Sequence, residues 1–293
     1  MKTKKLFPIR EFGALTGVNA STLRAWERRY GLIKPERTPK GHRLFKQEDV
    51  HQVNRIKQLI SDGHGFANIK KIIDSPEDSR IDSNVEDLWE EPIRKAKTAV
   101  SDFSYTRVDS VFNNMSSLYP IEMVSEKFLM PLLDYYSDNQ ELEAESGFFN
   151  KWLKTRLSSR FHHDNSLSNN SKKVIFTSSP QSETNLMLMS NMIIAQDYQA
   201  LFFGSLLPHK YYQAVIEKSA AKALFIILEQ PSKEDIDQLA KTLHEINIPV
   251  FVFGKIDKNI ENLLEDINVI VLGNNNTIAA NIFRQQMRHQ YHE

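Results

Sequence analysis

The apolar positions near the start of the chain recur at helical spacing. Ile9, Phe12 and Leu15 form one set, Leu23, Trp26 and Tyr30 a second, and Val50, Val53, Ile56, Leu59 and Ile60 a third. Spacings of three and four place such side chains on one face of a helix. The second set lies in VNASTLRAWERRYG, where Asn19 is a good N-cap and Gly31 a stop. LIKPERTPKGHRLF predicts two short extended pieces around a Pro-Lys-Gly turn, and FANIKKII predicts a further short helix. Polar DSPEDSRIDSN then reads as a linker. Helical patterns follow near 85–100, 104–118, 120–138 and 142–163 with short joints, which predicts a four-helix bundle. HHDNSLSNNSKK reads as a second linker.

Beyond it, strand-like runs at 173–178, 199–204, 223–228, 249–254 and 267–273 alternate with helical runs near 183–197, 209–220, 232–246, 259–266 and 276–291. Five such repeats predict a parallel sheet covered on both faces, a flavodoxin-like doubly wound domain. The expected fold class is therefore multidomain, α plus α/β. A winged helix-turn-helix head is expected at 1–75, a four-helix bundle at 80–165 and the α/β domain at 171–293.

Charge sharpens this division. The net charge is zero, yet residues 1–75 hold 16 Lys and Arg against 7 Asp and Glu, leaving 21 against 30 for the remainder. A basic head on an acidic body suggests a polyanion-binding module joined to something else. There is no cysteine, which excludes disulfides, thiol redox chemistry and thiolate metal sites. No apolar run reaches the roughly 20 residues of a membrane span, and MKTKKLFPIR lacks the apolar stretch of a signal peptide. The expected location is the cytoplasm, with no membrane partner.

In the head, the second helix is the one expected to enter a major groove. Ser21, Thr22, Arg24, Ala25 and Arg28 are expected along its outer face, with Leu23 and Trp26 holding it to the core. The wing carries Arg37, Lys40, His42 and Arg43, which suit phosphates or the minor groove. IREFGALTGVNASTLRAWERRYGL and RTPKGHRLFKQEDV together resemble the MerR family of transcription regulators over about 70 residues. The resemblance implies DNA contact by Thr22 and Arg24, with His42 and Arg43 bracing the backbone. Ala25 departs from it, standing where many relatives place a phosphate-binding tyrosine.

A bundle and a doubly wound domain behind such a head resemble the MerR branch with a C-terminal cobalamin-binding domain, some members of which are light-responsive repressors of carotenoid genes. That branch carries an Asp/Glu-x-His-x-x-Gly loop after its first strand, with the His on cobalt. Here Thr184 stands at the His and Met187 at the Gly. A threonine hydroxyl is a poor cobalt ligand beside imidazole, and a methionine crowds the space a glycine leaves. In the bundle, Tyr135 stands at the family's Trp and Glu145-Ser146 at its Glu-His pair. Leu228-Glu229-Gln230 replaces a small Ser-x-Leu turn, and a glycine pair is reduced to Gly254-Lys255. No cofactor is therefore expected, cobalamin included.

Three uses remain for the degenerate pocket. Tyr135, Met187, Met189 and Leu206 fill it as core; or Glu145, Thr184 and Asn185 offer polar groups to another small ligand; or the body works through protein contact. Tyr135, Glu145, Ser146, Thr184, Asn185 and Met187 are its expected lining.

No metal site is expected. His162-His163 with Asp164 is read as solvated linker. No catalytic site is expected either, since the chain has no Gly-x-Ser-x-Gly elbow, phosphate-binding loop or dinucleotide fingerprint. Gly204, Gly254 and Gly273 are read as ordinary turn residues after strands. The reading is a transcription regulator that binds double-stranded DNA as a homo-oligomer and represses by promoter occlusion without cobalamin. The alternative is a sensor or antirepressor acting through a different small ligand or a regulatory protein partner.

Overall fold

A computed structural model describes residues 5–75, 87–167, 172–179, 182–194, 198–205, 207–229 and 231–291. The chain divides into two compact units, Met1–Phe149 and Asn150–Glu293.

The first unit begins with β1 (Leu6–Pro8), α1 (Ile9–Thr16) and α2 (Ala20–Arg28). Gly17 ends α1 in the left-handed region at φ 70°, and the Asn19 side chain accepts from Thr22 N at 2.8 Å to cap α2. β2 (Glu36–Arg37) and β3 (Arg43–Lys46) form the wing, followed by α3 (Gln47–Ser61) and α4 (Phe66–Asp74). β1 pairs antiparallel with the other edge of β3, Phe7 opposite Phe45. This strand was not expected from a basic start containing Pro8. It forms because Phe7 is buried and because Pro8, at the strand end, removes no donor that the ladder needs. Phe12 stacks on Phe45 with centroids 4.1 Å apart, locking α1 onto the sheet.

The helical segment comprises α5 (Glu90–Ser101), α6 (Tyr105–Leu118), α7 (Ile121–Val124), α8 (Met130–Asp138) and α9 (Glu143–Leu167). The single helix expected near 120–138 is interrupted by a π-helical turn at Ser125–Leu129. Helix α9 runs four residues past its expected end, so His162, His163 and Asp164 are helical, which corrects their reading as linker. Two tertiary contacts extend it. Phe161 packs edge-on to Phe202 at 5.5 Å. The Asn165 amide donates to Ala200 O at 3.0 Å and accepts from Ala200 N at 2.9 Å. Asn165 thus imitates a neighbouring strand at a sheet edge that would otherwise stay unpaired.

The second unit holds β4 (Lys173–Ser178), α10 (Glu183–Ile194), β5 (Gln199–Ser205), α11 (Tyr212–Ser219), β6 (Ala223–Ile227), α12 (Lys233–Leu243), β7 (Val250–Phe253), α13 (Lys258–Asp266), β8 (Ile270–Val271) and α14 (Asn276–Tyr291). All strand pairings are parallel and the order is β5-β4-β6-β7-β8. Both faces are covered, so the strands read as unbroken apolar runs. Phe176, Phe225 and Phe251 line one face with Phe283 of α14. Ile175, Leu224, Ile226 and Val252 join the other, packed with Leu239, Leu243 and Leu264. Strand β8 is shorter than the expected 267–273 because Asn268 and Gly273 bracket it with positive φ. Among the described residues no helix is long and apolar enough to cross a membrane.

Candidate nucleic-acid interface and ligand pocket

Helix α2 presents Ser21, Arg24 and Arg28 to solvent along one edge, as its periodicity requires, while Leu23 and Trp26 are fully buried. Thr22 departs from expectation. It is fully buried, and its hydroxyl donates to Ser116 O at 3.4 Å. The Trp26 indole N–H donates to Leu118 O at 2.8 Å. Both acceptors lie in the last turn of α6, where carbonyls have no partner within the helix. Helix α2 therefore caps α6, and Thr22 serves that seam instead of the outer face. An aromatic run continues the seam: Tyr30 on Phe66, Phe66 on Tyr119 and Tyr119 against Trp89, with centroids 4.3, 5.4 and 4.7 Å apart. Burial, with a smaller contribution from Tyr30, pushes the Tyr119 hydroxyl up to about 12. It stays neutral, as a stacked phenol in an apolar seam must.

The wing turn is closed by Thr38 N donating to His42 O at 2.9 Å and Gly41 N to Thr38 O at 2.8 Å. Gly41 adopts φ +83°, which a side chain would resist. Lys40 and His42 are exposed at the tip, as expected. Arg37 and Arg43 are differently engaged. Each donates to Glu27 of α2, Arg37 Nη2 to Oε1 at 2.6 Å and Arg43 Nε to Oε2 at 2.5 Å. Burial would raise the Glu27 carboxyl, but the hydrogen bonds from Arg43 and Arg37 outweigh it and hold the group below its ordinary value. The stabilisation is thus fully present above the unfolded carboxylate range and is lost as pH falls through the depressed value. Sequence reading missed Glu27. The available signal was an acidic residue on α2 ahead of a hairpin with two arginines.

The six candidate pocket residues divide between the units. In the first, the Lys97 ammonium sits 3.3 Å from the centroid of the half-buried Tyr135 ring, a cation–π contact that covers one face. Glu145 and Ser146 lie half-buried in the first turn of α9. Neighbouring Tyr136, which sequence reading did not single out, is buried. Its hydroxyl is pushed up to about 12 by burial and, less, by Tyr135 and Glu145.

In the second unit, Thr184, Asn185 and Met187 follow β4 on the first turns of α10. The Asn185 amide donates to Glu229 Oε1 at 2.7 Å. That bond joins the segments after β4 and β6, the adjacent strands between which the chain reverses its winding. The Met187 sulfur accepts from Ser158 Oγ at 3.7 Å, and Glu183 pairs with Lys154 at 3.1 Å. Met189 is fully buried. Leu206 and Gln230 lie outside the described residues.

Residues 7–76 match the family model described as MerR HTH family regulatory protein. The chain is 30% identical over 127 residues to the HTH-type transcriptional regulator MlrA of Escherichia coli, covering 43% of this chain and 50% of that one. It is 26% identical over 166 residues to the HTH-type transcriptional repressor CarH of Myxococcus xanthus, covering 50% and 54%. It thus spans about half the length of these relatives. In fold, it resembles the monomethylamine corrinoid protein of Methanosarcina barkeri, with a TM-score of 0.50 and 11% identity over 67% of this chain and 98% of that chain.

Proposed function

With a MerR-type helix-turn-helix domain as residues 7–76, we propose that this chain is a sequence-specific, double-stranded-DNA-binding transcriptional regulator that represses by promoter occlusion. The carrying observation is the exposed edge of Ser21, Arg24 and Arg28 beside a wing tip presenting Lys40 and His42. Side chains in a major groove read base edges, while the basic wing holds phosphate. One head reads few bases, so paired half-sites bound by a homo-oligomer supply useful specificity. Selection of duplexes from a random pool by the full-length chain tests this. An unenriched pool would remove the function.

Lys40→Ala is expected to weaken binding to all duplexes alike and to lower the slope of log affinity against log salt by about one. An unchanged slope in anisotropy titrations across salt would place Lys40 off the phosphate backbone.

The fold is shared with a corrinoid protein, so the fit of a corrin matters. The residues present do not favour one. Asn185 is committed to Glu229 across the switch point, the Thr184 hydroxyl is a poor cobalt ligand, and Lys97 covers a face of Tyr135. The proposed regulator therefore works without cobalamin, and its control comes through a different small ligand or a protein partner. Adenosylcobalamin added in the dark is expected to leave the melting temperature unchanged. Binding at a hundredfold excess over Kd would raise it by roughly 5–10 °C, and such a rise would overturn this reading.

A further inference from the structure

Glu27 sits beside the exposed edge of α2 and receives both strands of the wing. Its two oxygens take Arg37 and Arg43 separately, and these arginines are direct cross-strand partners in the β2–β3 ladder. They form the rung at the base of the turn that carries Lys40 and His42. One carboxylate therefore ties the whole wing to the recognition helix.

The arrangement runs against simple electrostatics. A carboxylate in a polyanion-binding head repels phosphate and lowers affinity. Yet only 15% of the Glu27 side chain and 19% of the Arg43 side chain are exposed, so the contact is screened less than a solvated pair. Guanidinium is a rigid fork with five N–H donors. An arginine that gives one of them to Glu27 retains others for a phosphate oxygen. Without the anion, two like charges face each other across adjacent strands, and the wing loses its brace.

We propose that Glu27 is a positioning residue that fixes the angle between recognition helix and wing, so that Arg24 and the wing tip engage one duplex in register. It acts through Arg37 and Arg43 and does not itself touch DNA. This rests on the DNA-reading function proposed above.

The test uses the full chain, a duplex enriched from the random pool, and a scrambled duplex of equal length and composition. Glu27→Gln keeps the shape and removes the charge. It is expected to bind the enriched duplex about tenfold more weakly and the scrambled duplex equally or more tightly. Glu27→Asp keeps the charge but is too short to reach both arginines, and an intermediate loss is expected. If Glu27→Gln binds both duplexes more tightly, or weakens on both by the same factor, the positioning role is overturned while DNA reading stands. If that variant fails to fold, Glu27→Asp decides: unimpaired discrimination overturns the role. If the wild type itself does not discriminate between the duplexes, the DNA-reading function falls first.

Discussion

Gly254→Ala is expected to destabilise the parallel-sheet unit by about 4 kcal/mol or more and to lower its melting temperature by roughly 10 °C. Gly254 leaves β7 at φ +137°, a region closed to ordinary side chains, and an added Cβ would lie 1.7 Å from Leu228 O. No rotamer relieves that clash, because the obstructing atom is backbone. Leu228 N donates to Phe253 O, and Gly254 N donates to Gly273 O, each at 2.9 Å. The ends of β6 and β7 and the turn after β8 therefore meet at this residue, and moving any of them breaks a ladder. The sequence reading of Gly254 as an ordinary turn residue is corrected by this contact. Gly273 supplies the control. It adopts φ +70° with nothing within 4 Å of an added Cβ, so Gly273→Ala is expected to cost only about 1 kcal/mol of backbone strain. Equal melting temperatures for the two variants would show that strand-end packing, as described, does not limit stability.

Arg24→Ala is expected to remove preference for the enriched duplex almost entirely. Arg24 is exposed in the middle of α2, between Ser21 one turn before it and Arg28 one turn after. Unlike Arg37 and Arg43, it makes no hydrogen bond or ion pair with the described residues, so its guanidinium is free to pair with a guanine edge. A bidentate contact of that kind discriminates by about 1–3 kcal/mol per head. Two heads on paired half-sites double the loss, and the expected drop on the enriched duplex is at least about thirtyfold. Binding to the scrambled duplex should fall only by the loss of one charge per head. Titration of both duplexes at fixed salt separates the two effects. Equal affinity of wild type and variant for the enriched duplex would end the assignment of α2 as the reading helix.

How far the site was legible differs residue by residue. Asn19 announced the start of α2 because its capping bond spans three residues. The exposure of Ser21, Arg24 and Arg28 followed from helical period alone. Thr22 did not, because the α6 carbonyl that claims it lies 94 residues away. Glu27 was silent for a related reason: its meaning depends on partners 10 and 16 residues on, brought back by the wing. In the second unit, the changes at Thr184 and Met187 were visible as letters. The Asn185–Glu229 bond across the strand ends was not.

The sequence by itself determined the order and kind of the elements other than β1 and the π-helical turn at Ser125–Leu129, together with the basic head and the edge of α2 that faces solvent. These rest on periodicity, capping and charge, all expressed within a few residues. Only the tertiary structure decided that α9 continues to Leu167, that Thr22 and Trp26 cap α6, that Glu27 braces the wing and that Gly254 admits no side chain. Each of these depends on a backbone or carboxylate atom supplied from elsewhere in the chain. A local pattern carries no record of which distant surface will meet it.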